Sequence, residues 1–116
     1  MSITILRQSA QLADLQAQEP VAIPLTQPPS KTWGRAVEVD GAGNNRCGIW
    51  ECSPGRFERQ LASAETMHIL TGSGSFTPTD GERMEFKAGD TLFFPAHTTG
   101  VWELTETLRK MYVVMV

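Results

Sequence analysis

Histidine is scarce in this chain, and no sign of charge dominates it. His68 and His97 are its two imidazoles in 116 residues, so any imidazole chemistry must use one of them. Net charge is −3, with no basic run, which argues against a nucleic-acid partner. No apolar stretch approaches the roughly 20 residues that span a bilayer, so no membrane partner is expected. The apolar run in MSITILRQSA is too short for a secretory leader, and the expected location is cytoplasmic. Cysteine is as sparse as histidine. Cys47 and Cys52 lie five apart in CGIWEC, and on a strand that odd spacing puts them on opposite faces. A disulfide or shared metal between them is therefore not expected, and both are read as buried reduced thiols. Gly72-Ser73-Gly74 has no helix after it to cradle a phosphate, and no serine sits in a nucleophile-elbow setting. Repeats and low-complexity segments are absent.

What is present is short and strand-like. Hydrophobic residues make up 41% of the chain and charged ones 20%, ordinary values for one globular domain. A chain of this size buries roughly 65% of its unfolded surface, enough for one core. Residues 3–6, ITIL, read as a short strand. Ser9 caps a predicted short helix to about Gln18, with Leu12 and Leu15 on one face and Pro20 ending it. The proline-marked stretch from Val21 to Trp33 reads as extended. Residues 1–34 are thus an N-terminal arm, and residues 35–116 the body. In the body, runs such as RAVEV, CGIWEC, RFERQ, MHIL, TLFFP and MYVVMV alternate with turn signals such as DGAGNN, TGSG and KAGD. Thr79-Asp80-Gly81-Glu82 is a hairpin signal, because Asp-Gly tolerates positive φ. Evenly spaced strands without helical pattern predict an all-β barrel or sandwich. The apolar run Met111–Val116 is expected in the barrel or in a subunit interface.

The ordered set GIWECSPGRF, ETMHILTG, FTPTDG, FKAGDTLFFPA, GVWE and ETLRKMYVV resembles the cupin superfamily. It looks most like the small single-domain cupins related to the ethanolamine-utilisation cupin protein and to ureidoglycine aminohydrolase cupin domains. The resemblance runs from Gly48 to about Val114. It implies a double-stranded antiparallel β-barrel of the jelly-roll type, as a homodimer; the short N-terminal helix and extended arm read above precede it. Metal-binding cupins hold two histidines one residue apart, then a glutamate, then a glycine seven residues on. Glu65 and Gly72 match the last two; counting back from Glu65, the histidine positions fall on Glu58 and Gln60. The second motif's histidine, five residues after its proline, corresponds to Gly100. The chain therefore departs from the pattern at each histidine ligand.

A divalent metal needs three or four lone-pair donors converging at about 2.0–2.2 Å. Glu58, Gln60 and Glu65 offer oxygens, Gly100 offers no side chain, and Trp102, on the same side of a regular strand, fills the space with an indole that only donates. The expected metal ligands are none, with a divalent metal the less favoured cofactor. If Glu65 faces an apolar interior with Met67, Ile69 and Trp102, burial disfavours its charge unless a cation meets it. Lys110 or Arg109 is the candidate, and alternation puts Lys110 with Tyr112 on one face and Arg109 with Met111 on the other.

Two readings of these groups stand side by side. Glu65, Lys110, Tyr112 and Trp102, with Glu58 and Gln60, orient a small polar ligand; or the charges are a structural ion pair. Glu65 and His97 are the candidate acid–base groups, His97 lying at the barrel mouth or simply in solvent. His68 is expected to face outward, and Trp33, Trp50 and Phe93-Phe94 to be core. Three functions follow: a metal-free cupin that binds a small metabolite or does acid–base chemistry, a metal-dependent isomerase, lyase or aminohydrolase, or a non-catalytic interaction module. Fold alone does not choose among them.

Overall fold

The computed structural model describes residues 2–116. Period-two burial governs the body of the chain. In Ala64–Thr71 the buried side chains are Glu65, Met67 and Ile69, every second residue. Thr98–Leu104 buries Gly100, Trp102 and Leu104 in the same way. Such alternation is what a sheet with one packed face requires. The described residues form eleven strands: β1 (Gln16–Gln18), β2 (Ile23–Pro24), β3 (Thr32–Val37), β4 (Arg46–Cys52), β5 (Gly55–Leu61), β6 (Ala64–Thr71), β7 (Ser73–Pro78), β8 (Met84–Lys87), β9 (Thr91–Phe94), β10 (Thr98–Leu104) and β11 (Leu108–Met115). They pair antiparallel into a six-stranded sheet, β1-β3-β4-β11-β6-β9, and a five-stranded sheet, β2-β5-β10-β7-β8. The two sheets face one another as the expected jelly-roll barrel.

One end of the space between the sheets is packed solid. Phe76 meets Phe94 and Trp102 edge-on at ring separations of 4.9 and 5.0 Å. Phe86 meets Trp102 edge-on, and Phe94 stacks on it. Each such pair contributes roughly 0.5–1.5 kcal/mol beyond the area it buries. Cys52, Phe57, Leu61, Met67, Ile69, Leu92, Leu104 and Leu108 complete this cluster. The glycines at the corners are structural. Gly72 has φ +93°, and a methyl group there would meet the Thr107 carbonyl oxygen.

The N-terminal arm departs from the sequence expectation. Residues 3–6 form no strand, and Ile3 and Ile5 are exposed. The predicted helix shrinks to one 3-10 turn, Ser9–Gln11, whose N-cap Gln8 makes no side-chain cap bond. Gln16–Gln18, expected as the helix end, instead pairs with β3. Tertiary contacts explain the change. Arg109 donates to the carbonyls of Ser9 at 3.0 Å and Leu12 at 2.9 Å, and Thr4 donates to the carbonyl of Glu38, so the first part of the arm is held on the outside of the six-stranded sheet. The boundary after residue 34 falls inside β3, and the arm supplies β1 and β2 to the two sheets.

Smaller corrections concern single side chains. Cys52 is inside and fully buried, whereas Cys47 is only half-buried, on the other face. Phe94 is core, but its neighbour Phe93 is 76% exposed, as alternation dictates. The Asp80-Gly81 segment does join a hairpin, β7 to β8, but through a longer loop closed by Gly81 N–H on the Pro78 carbonyl, and positive φ is not used there.

Candidate functional site

Beyond Trp102 the aromatic packing ends and the barrel opens into a cavity of about 720 Å³. Strand register states which side chains face it, because cross-strand partners share a face. On β10 and β5, Trp102 lies opposite Phe57 and Gly100 opposite Arg59. On the other sheet, Lys110 lies opposite Ile69 and Trp50, Tyr112 opposite Met67, and Val114 opposite Glu65 and Arg46. The arm closes one side with residues Gln18 to Ile23.

The floor is an ion pair. Lys110 Nζ donates to Glu65 Oε2 at 3.0 Å, and both side chains are at most one-tenth exposed. The ammonium also lies 3.6 Å from Met67 Sδ and over the rings of Trp50 and Trp102, at 4.8 and 5.6 Å from their centroids. Burial pulls the Lys110 pKa below its ordinary value; Glu65 opposes that pull by charge and hydrogen bond, and the Arg59 charge adds to it. Tyr112 is shifted upward, first by burial, and the charge of Arg46 works against the shift. Cys52 behind the floor is pushed up to about 12, again by burial. Arg109, the other candidate cation, is on the outer face and pairs with Glu51 at 2.9 Å.

The remaining candidates are dispersed. Glu58 and Gln60 border the cavity, but both are exposed and their cross-strand partners are Val101 and Thr99; the inward positions of β5 are Phe57, Arg59 and Leu61. His97 is exposed in the corner after β9, at φ +62°, and is not a wall residue. His68 is outside, its Nδ1 2.7 Å from the Thr91 hydroxyl. Trp50, expected as core, is half-buried and walls the cavity. Arg46, Arg59 and the arm segment also border the cavity, and none belongs to the candidate set above. Arg59 was findable by counting inward-facing positions from the apolar Phe57 and Leu61 rather than back from Glu65.

The donor set does not suit a divalent metal. Among the described residues no three His, Cys, Asp or Glu side chains converge. Glu65 is already held by a cation, and Arg59 and Leu61 are the side chains β5 turns inward. Gly100 lies under Phe76, where an added methyl group would come within 2.5 Å of Phe76 Cζ. No described helix is long and apolar enough to cross a membrane.

Comparison with known proteins agrees with this fold. The fold matches a DUF861-family protein of unknown function from Pseudomonas syringae pv. tomato, with TM-score 0.79 and 25% identity over 90% of this chain and 45% of that one. The chain thus spans less than half of that relative. EutQ from Clostridium difficile matches with TM-score 0.65 and 18% identity over 78% of this chain and 74% of that one. A DUF861-family protein from Thermotoga maritima gives 0.58 and 24% over 71% and 99%. The last two are likenesses of fold. No curated protein matches the sequence. Residues 39–112 match the EutQ-like cupin domain, and the chain belongs to that family.

Proposed function

We propose that the barrel binds a small polar metabolite in its cavity without a tightly bound metal. The observation that carries this reading is the Lys110–Glu65 pair at 3.0 Å on the cavity floor. The family glutamate is neutralised by an ammonium, with two indoles beside it, where a metal site would need converging lone pairs. The cavity supports binding over the purely structural reading, since its size falls within the roughly 300–1,000 Å³ of small-molecule sites. Glu65, Lys110, Tyr112 and Trp102 form its inner wall, and Glu58 and Gln60 its outer edge.

The three tryptophans supply the test. Trp50 and Trp102 line the cavity, whereas Trp33 lies opposite Glu51 and Ala17 on the outer face. Pools of small polar metabolites are added to isotope-labelled protein in EDTA, and the three indole N–H resonances are followed. Trp50 and Trp102 should shift while Trp33 stays fixed. Binding that needs restored metal, or that moves Trp33 alone, would refute the proposal.

A further inference from the structure

Two guanidinium groups stand at the cavity with no carboxylate to neutralise them. Arg59 projects from β5 opposite Gly100, on the inward face of the strand. Arg46 begins β4 on the facing sheet, opposite Val114, which is itself opposite Glu65. Both border the cavity. Among the described residues the ion pairs engage Arg35, Arg56, Arg83, Arg109 and Lys110, and neither Arg46 nor Arg59. Glu19 and Glu58 also lie at the mouth, but neither comes within ion-pair distance of a guanidinium. Since Lys110 cancels Glu65, the inward-facing charge that remains is positive. Arg59 and Arg46 are also felt inside, by Lys110 and Tyr112 respectively.

The same lining offers apolar surface from Trp50, Phe57, Leu61, Trp102 and Val114. We infer that the cavity takes a small amphipathic organic anion, its carboxylate or phosphate held by Arg59 and Arg46 and its apolar body laid against Trp50 and Phe57. Guanidinium suits such a headgroup because its planar fork offers paired N–H donors to two oxygens. This inference rests on the cavity being a binding site and adds the class of ligand.

The experiment compares phenylacetate, phenyl phosphate and the neutral isostere phenylacetamide, each titrated into the intact protein and read by tryptophan fluorescence and calorimetry. At least one anion should bind about tenfold or more tighter than phenylacetamide, as a charged hydrogen-bond pair implies. Which anion binds tighter separates a carboxylate from a phosphate ligand. Arg59→Gln and Arg46→Gln should each remove most of that margin, and Arg59→Lys should restore part of it. Both arginines are exposed, so the variants are expected to fold, and circular dichroism verifies this. Equal affinity for anions and amide overturns the anion assignment but leaves the cavity a binding site. Failure of all three probes to bind overturns both, and unchanged anion binding by folded Arg59→Gln overturns the role of that arginine.

Discussion

Removing one member of the Lys110–Glu65 pair is the most informative perturbation of the core. Both residues are more than nine-tenths buried, and the ammonium has one carboxylate partner, at 3.0 Å. Glu65→Gln keeps the shape and removes the charge. Leaving a buried charge uncompensated costs about 3–5 kcal/mol, which for a domain of this size lowers Tm by about 10 °C or more. The pH dependence carries the diagnosis. Burial already lowers the Lys110 pKa, and Glu65 is the main influence holding it up. In Glu65→Gln it falls further, so from that value up to 10.5 the unfolded state binds more protons than the native state. The stability deficit of the variant should therefore shrink as pH rises toward 10.5. Replacing both residues with methionine should cost less than the sum of the two single changes, since an apolar pair of similar volume leaves no orphaned charge. Urea unfolding of the unmodified protein, Glu65→Gln, Glu65→Met, Lys110→Met and the double methionine variant from pH 6 to 10 reads each quantity. Additive losses, or a deficit that grows with pH, would refute the buried pair as described.

Other consequences are independent of that pair. Gly100→Ala forces a methyl group against Phe76 and the Thr77 carbonyl, and should destabilise by about 1–3 kcal/mol in chemical denaturation; a neutral effect would mean that Phe76 is not fixed there. Cys52 titrates near 9.0 when unfolded and at about 12 in the native state, so the native state keeps a proton that the unfolded state loses. Stability should therefore fall above pH 9 by up to about 1.4 kcal/mol per pH unit relative to Cys52→Ala, and parallel curves would contradict this. His97→Gly should leave ligand binding unchanged and stability equal or higher by up to about 1 kcal/mol, because φ +62° suits glycine; lost binding would put His97 in the site.

The barrel was legible because period-two burial is written in single residues. Glu65, Met67 and Ile69, then Gly100, Trp102 and Leu104, alternate as one packed face demands. The same rule gave Lys110 and Tyr112 a common face and placed Arg109 outside, where it grips the arm. The arm itself was misread. Leu12 and Leu15 show helical spacing, yet the backbone there is set by carbonyl bonds to Arg109 and by pairing with β3, which connect residues about 100 and 16 positions apart and leave no local trace. Within the site, Glu65 and its cation were readable from the motif and alternation. Arg59 was missed because counting back from a family glutamate fixes a spacing but not a face, whereas the inward face of β5 is set by its pairing with β10.

The central claim is that an ammonium, not a metal, occupies the glutamate at the centre of this cupin. Elemental analysis by mass spectrometry of protein purified without chelator tests it most directly. The account predicts Mn, Fe, Ni, Cu and Zn each far below one equivalent per chain, with ligand binding unaltered by EDTA. One equivalent of any of them, lost together with binding on chelation, would contradict it.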